Sequence, residues 1–345
     1  MPLARPYTVV AIVPTGVGAA IGGYAGDALP MARAIAQVAD RAITHPNVLN
    51  GAQLYWPEPN LLYVEGYGLD RFAAGEWGLR PVRRNRVVPV LDAGMEPELR
   101  WRHAQAADAA RATLGLEVDE CRVTDAPLEV TLRQAPSGAS WGTLGNPDSL
   151  LRAAERAIRD DGAEAIAVIA RFPDGAHGPQ AQAYRHGQGV DPLAGAEAVI
   201  SHLVVHTFGL PCAHAPALAP LPVDAQVAPR AAAEELGYTF LPSVLVGLAR
   251  APQFATQRTA GAAEAIWADA VDAVVAPADA CGGSALLGLS DRGARIVSVA
   301  QNATRMQVPP ERLGMAAIPV HSYLEALGVL VAQRAGLDET ALHLP

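Results

Sequence analysis

Continuous apolar runs alternate along this chain with segments of helical period. Residues 8–13 (Thr-Val-Val-Ala-Ile-Val) form an uninterrupted run that reads as a buried first strand. Residues 29–43 place Met31, Ile35, Val38 and Ala42 on one face, which predicts a helix. Val87–Leu91 and residues 164–170, 273–276 and 295–300 read as further strands, and Pro97–Leu114 as a helix. Asn146-Pro147-Asp148-Ser149 supplies a cap, a proline at the first helical position and an early acid, and Asp191-Pro192 repeats that logic. Wholly apolar strands alternating with helices predict an α/β fold, with a mainly parallel sheet covered by helices on both faces.

Two stretches interrupt the alternation. Residues 50–86 have few helical signals but hold Tyr55, Trp56, Tyr63, Tyr67, Phe72 and Trp77. Such an excursion packs on the core, meets a second subunit, or walls a ligand. Residues 211–229 are an Ala/Pro-rich connection. The chain thus divides into an N-terminal lobe over 1–210, a connection over 211–235 and a C-terminal lobe over 236–345, unless it is one continuous domain. Ala11-Ile12-Val13-Pro14 and Val274-Val275-Ala276-Pro277 each precede a glycine-containing turn. They suggest two similar lobes about a pseudo-twofold cleft.

Composition narrows the function classes. The 345 residues are 50% hydrophobic and 18% charged, and the net charge of −9 disfavours nucleic acid or an anionic membrane as partner. No apolar run approaches the roughly 18 residues of a spanning helix. The first residues lead straight into a strand and lack a signal-peptide pattern. Cys121, Cys212 and Cys281 are an odd, sparse set that fits a reducing compartment. A cytoplasmic protein with a small-molecule ligand, no nucleic acid and no membrane contact is therefore expected, and a homo-oligomer is compatible. All 26 basic residues are arginines. Schiff-base chemistry on lysine and the standard phosphate-binding loop are thereby excluded. The sequence requires no cofactor.

Candidate chemistry lies on loops. Residues 14–27 carry Thr15, Gly16, Gly18, Gly22, Gly23 and Asp27 directly after the first strand. Glycines let bare amides approach an anion. The spacing only approximates a dinucleotide fingerprint, and Asp40 is the nearest acid of the required kind. Residues 136–146 hold Ser137, Gly138 and Ser140 ahead of a capped helix, where an anion has a natural seat. Asp279, Cys281, Gly282, Gly283 and Ser284 follow a later strand. A helix N-terminus there would lower the Cys281 thiol pKa and make a nucleophile, with Asp279 as base or cap; a buried inert thiol is the alternative. Arg185 and His186 lie on a polar loop able to close on an anion. Asn302, Thr304 and Arg305 follow the strand at 295–300, beyond a carboxyl end if that strand is parallel. His202 and His206 share one helix face. With Cys212 and His214 they are the weak candidates for a metal that the sequence does not otherwise predict. His214, placed in a loop after that helix, is the better acid or base.

Residues 14–27, 44–52, 184–192 and 211–216 also resemble the signatures of a cyanobacterial family known only as domain of unknown function 3326. The resemblance spans nearly the whole chain, implies a cyanobacterial or similar source, and transfers no activity. On the residues alone, the expected function is an enzyme of isomerase, lyase or hydrolase type acting on a small polar or anionic metabolite. Cys281, His214 and Asp279 are its catalytic candidates, and in one version Thr15 and Cys281 act as two bases on facing turns. A non-catalytic ligand-binding or sensing protein and a dinucleotide-dependent oxidoreductase are the alternatives.

Overall fold

A computed structural model describes residues 5–50, 57–173, 178–237, 240–258 and 265–342. Its first part runs β1 (Thr8–Ala11), α1 (Leu29–Val38), β2 (Arg41–Thr44), α2 (Pro46–Leu49), β3 (Leu61–Tyr63), α3 (Gly66–Ala73) and β4 (Gly78–Arg80). The middle comprises β5 (Val87–Leu91), α4 (Pro97–Leu114), β6 (Arg122–Val123), β7 (Val130–Gln134), β8 (Ser140–Leu144), α5 (Pro147–Asp161), β9 (Ala165–Arg171), α6 (Pro179–Arg185), α7 (Ala194–Phe208) and β10 (Cys212–Ala217). The last part holds α8 (Pro229–Glu235), α9 (Leu241–Ala249), β11 (Gln253–Ala255), β12 (Ala273–Pro277), α10 (Ser284–Asp291), β13 (Arg295–Val299), β14 (Ala317–Val320) and α11 (Tyr323–Arg334).

The architecture is α/β. A six-stranded sheet has the order β14-β13-β12-β1-β2-β3 and a four-stranded sheet the order β10-β9-β5-β6. Every pairing in both is parallel. Two small antiparallel pairs, β11 with β4 and β7 with β8, complete the set. The sheets draw on the chain differently from a division at 211–235. β1–β3 and β12–β14 share one sheet, while residues 87–217 supply the other. The two turns that the sequence pairs leave β1 and β12, which are parallel neighbours within one sheet.

Side-chain alternation explains why helices cover both faces of the six-stranded sheet. Val9, Ala11, Ala273 and Val275 face the core formed with α1 and α11, including Ile35 and Leu330. Val10, Val274, Ala276 and Ile296 face the core formed with α3 and α10, including Phe72 and Leu286.

Local readings differ from the sequence expectation at four places. The helix expected over 29–43 ends at Val38. Ala39 is extended, and Asp40 accepts from the Tyr7 amide at 2.8 Å, so the chain turns back and Arg41–Thr44 joins β1. Four residues, the last three of them buried, carry no period that separates strand from helix. Residues 136–146 form the turn and return strand of the β7–β8 hairpin, so Ser137 and Gly138 sit in its turn and not at a helix N-terminus. Asp191 does not cap a helix. It stands three residues before α7 begins and accepts from the amide of Leu193, the residue at the cap position, at 2.8 Å. His214 lies on β10 rather than in a loop, because the Ala/Pro-rich connection begins as a buried parallel strand beside β9.

Candidate functional site

The order of the six-stranded sheet reverses between β1 and β12. From β1 the chain proceeds through α1 to β2 and β3 on one side, and from β12 through α10 to β13 and β14 on the other. Because α1 and α10 cover opposite faces, their connections part at this point. A crevice beyond the carboxyl ends of the strands is the usual ligand seat of such sheets.

Hydrogen bonds tie the surrounding loops together. The Gly16 carbonyl accepts from the Ser140 amide at 3.0 Å, and the Val17 carbonyl from the Arg305 amide at 2.8 Å. Ala20 donates to the Ala303 carbonyl at 3.0 Å. Asp279 accepts from the amide and the hydroxyl of Thr304, both at 2.9 Å. The stretches 14–27, 136–146, 277–284 and 300–306 therefore meet in one region. The last three of them supply residues to a cavity of about 620 Å³ whose lining includes Ser137, Asp279, Thr304, Arg305, Met306 and Arg312, while residues 14–27 stay off its wall. Both guanidinium-bearing residues are exposed, and Arg312 Nη1 donates to the Gln307 carbonyl at 3.0 Å. Gly18 has a φ of +64°, and a Cβ there would stand 2.8 Å from Val190 Cγ2 and 3.5 Å from Arg305 Cγ. The positive φ and the close approach to Val190 call for glycine here, whereas a Cβ at 3.5 Å from Arg305 would be an ordinary contact.

Many loop amides are already engaged within the protein. Gly22 donates to Asp27 Oδ1 at 2.5 Å, Ile21 to Asn302 Oδ1 at 2.8 Å, and Ala25 to Glu234 Oε1 at 2.6 Å. Thr15 is half-buried in the turn, and Gly23 packs against the Ala19 carbonyl. Asp27 also pairs with Arg230 at 3.2 Å, and burial pushes its carboxyl up to about 6.

The remaining candidates lie elsewhere or serve other partners. Cys281 is fully buried. Its Sγ donates to the Pro277 carbonyl at 3.5 Å, and burial, with Glu311 and Asp279 adding, pushes the thiol up to about 11. The helix begins only at Ser284 with Gly283 as its cap, and Gly282 packs on Val308. Burial, not the helix terminus, thus sets the thiol. Arg185 is the last residue of α6 and points inward, where Glu235 holds it in a fork at 2.7 and 3.1 Å. His186 meets Asp224 at 2.8 Å. Asp40, the acid considered for a ribose, stands at the start of β2, the sheet edge opposite the glycine loop.

The histidines do not gather. The His206 ring lies edge-on to Tyr67 with centroids 5.0 Å apart, and Cys212 is buried in the core of the four-stranded sheet. Among the described residues no group of three His, Cys, Asp or Glu is placed to hold a metal ion. His214 Nδ1 faces Ser201 Oγ at 3.2 Å, and its Nε2 lies 3.7 Å from Glu197 Oε2. Burial, aided by His202, lowers His214 to about 3. Neither His214 nor Cys281 lines the cavity at Asp279.

Sequence reasoning missed a group of mutually repelling carboxyls beneath the glycine loop. Burial first, then neighbouring charge, pushes Glu234 up to about 8 and Glu197 well above the usual carboxyl range; burial raises Asp191 to about 6. Tyr184 donates to Glu234 at 2.8 Å and stacks on Tyr24 with centroids 4.4 Å apart. Asp27, the pair Asp191 and Glu197, and Glu234 come from three distant parts of the sequence, and nothing in their local pattern announces the meeting.

Residues 8–343 match the family model described as protein of unknown function, DUF3326. The chain belongs to that family. A member from a Synechococcus strain, named an uncharacterized lipoprotein, is 60% identical over 340 residues, covering 99% of this chain and 94% of the relative. No solved structure matches. The family match agrees with the resemblance carried by the loop signatures. The relative's name overturns the expectation of a cytoplasmic protein without membrane contact, which rested on composition and on the first residues alone. Among the described residues no helix is long and apolar enough to cross a membrane.

Proposed function

We propose that this member of the DUF3326 family is an enzyme of isomerase, lyase or hydrolase type that binds a small polar or anionic metabolite at the reversal point of the six-stranded sheet. The observation that carries this reading is the meeting of residues from the loops at 136–146, 277–284 and 300–306 on one cavity, with Arg305 and Arg312 on its wall. In a chain without lysine, arginine forks are the strongest anion-binding side chains. The second, four-stranded sheet acts as the other lobe of a cleft, and its β7–β8 hairpin brings Ser137 to the ligand. The raised carboxyls beneath the glycine loop titrate near neutral pH but do not line this cavity. Membrane association, carried over from the relative's name, belongs to the same proposal.

The test is a thermal-shift titration with inorganic phosphate and small mono- and dicarboxylates. At least one anion is expected to raise the melting temperature, and Arg305→Ala to abolish that rise. No shift with any anion overturns the reading. Fractionation of cells checks the membrane part. A second reading, binding without turnover, is favoured by the absence of Cys281 and His214 from the cavity wall. It predicts the same anion-induced shift with no chemical change in the bound compound.

A further inference from the structure

The β7–β8 hairpin leaves one backbone edge open beside a second cavity, apart from the one at Asp279. Next to the hairpin turn, the Ala135 amide donates to the Ala139 carbonyl at 2.8 Å, and the strands pair in register from there to Val130 and Leu144. Hydrogen-bonded and non-bonded positions alternate along an antiparallel pair. Thr131 and Arg133 therefore bond to β8, whereas the amides and carbonyls of Leu132 and Gln134 point away from it. Ser140, opposite Gln134, fixes the same parity from the other strand: its amide leaves the hairpin and donates to the Gly16 carbonyl at 3.0 Å. Among the described residues no backbone partner meets Leu132 or Gln134 on this outer side.

The open edge borders a cavity of about 400 Å³. Its wall includes Leu132, Gln134 and Ser140 of the hairpin, Ala181 of α6, and Val190 and Pro192 from the loop before α7. Leu132 also packs against the core of the four-stranded sheet, so the even-numbered side chains of β7 face inward. Thr131 and Arg133 face the other way, and Thr131 Oγ1 meets Thr143 Oγ1 at 2.6 Å on the exposed side. Arg133 is the only charged residue on the cavity wall. Its guanidinium lies over the Trp141 ring, 5.4 Å from the centroid, and no carboxylate pairs with it among the described residues. One side-chain bridge, from Gln180 Nε2 to Gln134 Oε1, crosses the opening.

We infer that this edge receives an extended peptide from a protein partner as a third, antiparallel strand, with an apolar, an acidic and an apolar residue opposite Leu132, Arg133 and Gln134. A strand added to an open sheet edge gains affinity from backbone hydrogen bonds and specificity from alternate side chains. Opposite Leu132 and Gln134 the incoming backbone exchanges both hydrogen bonds at each position, and its side chains there turn inward toward Ala181, Val190 and Pro192. The residue between them turns outward beside Arg133 in a non-hydrogen-bonded pair, where side chains approach most closely. A carboxylate at that position meets the one cation of the wall. A free anion would meet Arg133 too, but would leave the four outward backbone groups and the apolar wall unused.

The test uses the full chain and the peptide Thr-Val-Glu-Val-Thr, labelled at its N-terminus and amidated at its C-terminus, read by fluorescence anisotropy. Saturable binding is expected. N-methylation of both valines removes the two N–H groups aimed at β7 and is expected to weaken binding about tenfold or more; this change in the ligand leaves the protein's own fold untouched. Arg133→Glu weakens binding of the same peptide, and Thr-Val-Lys-Val-Thr restores it to that variant. Gln134→Pro deletes one outward amide while keeping every β7–β8 bond, and acts in the same direction. No saturable binding, or equal binding of the N-methylated peptide, overturns the proposal. Self-association in sedimentation that Gln134→Pro abolishes, with no peptide bound, assigns the edge to a second copy of the chain and overturns it as well. Arg305→Ala leaves these readouts unchanged, so failure of the anion cavity is told apart from failure of this edge.

Discussion

The side-chain amide of Asn302 pairs with the backbone of Ile21 on both sides: Oδ1 accepts from the Ile21 amide at 2.8 Å, and Nδ2 donates to the Ile21 carbonyl at 2.9 Å. Nδ2 also donates to Tyr323 Oη at 2.7 Å. One fully buried side chain thereby joins the loop after β13 to the glycine loop and to the start of α11. Asn302→Ala removes three bonds and leaves buried backbone groups unpaired. A loss of about 2–4 kcal/mol is expected, read by urea denaturation. Asn302→Asp restores the acceptor but neither donated bond, and falls between the two.

Gly18 tests the turn directly. Gly18→Ala puts a side chain at positive φ and 2.8 Å from Val190 Cγ2. Destabilisation of about 1–3 kcal/mol is expected. The anion-induced thermal shift should weaken as well, since the displaced turn carries the stem of Arg305. Full stability with an unchanged anion response would mean that the turn does not position Arg305.

The buried carboxyls give a pH dependence of stability whose sign is fixed. Glu234 is raised to about 8, and Asp27 and Asp191 to about 6. Between the ordinary carboxyl range and those values the folded chain holds protons that the unfolded chain has released, so stability falls as pH rises. The buried His45 and His214, lowered by burial to about 4 and about 3, act oppositely. The unfolded chain protonates them first, so below about 6.5 their contribution rises with pH. Between about pH 4.5 and 6 the three carboxyls outnumber the two histidines, so stability is expected to fall already there, and above pH 6.5, where the histidine contribution is complete, Glu234 continues the fall by on the order of 2 kcal/mol toward pH 8. Urea melts at pH 5, 6.5 and 8 check it, and Glu234→Gln should flatten the upper limb.

Thiol labelling separates Cys281 as nucleophile from Cys281 as core residue. Cys212 and Cys281 are buried, and burial raises both thiols, so labelling of the native chain at pH 7 should be slow at each. All three cysteines react once the chain is unfolded in urea. Rapid native modification of Cys281 would restore its candidacy.

The strands and the loops that follow them were legible because parallel buried strands are continuous apolar runs bounded by glycine and proline. Pro97–Leu114 was readable to the residue, since a proline starts that helix and Gly115 in the left-handed region ends it. The strand Arg41–Thr44 was not, because four residues, three of them buried, are too short to show a period. The stretches 14–27, 136–146 and 277–284 were each readable as turns with candidate chemistry. The relation of Glu197 to His214 was not, because it depends on how α7 packs against β10, and helix period alone points toward no particular neighbour. The sequence left Cys281 open between a nucleophile and a buried inert thiol for a similar reason: proximity to a helix start is visible in sequence, whereas burial is not.

The central β1–β12 pairing joins residues separated by more than 260 positions, and this has a consequence for synthesis. A nascent chain cannot complete its larger sheet until the last quarter has left the ribosome, while residues 87–217 already contain every strand of the smaller one. The interior segment is therefore free to condense first, and the amino-terminal strands wait with exposed edges until β12 arrives.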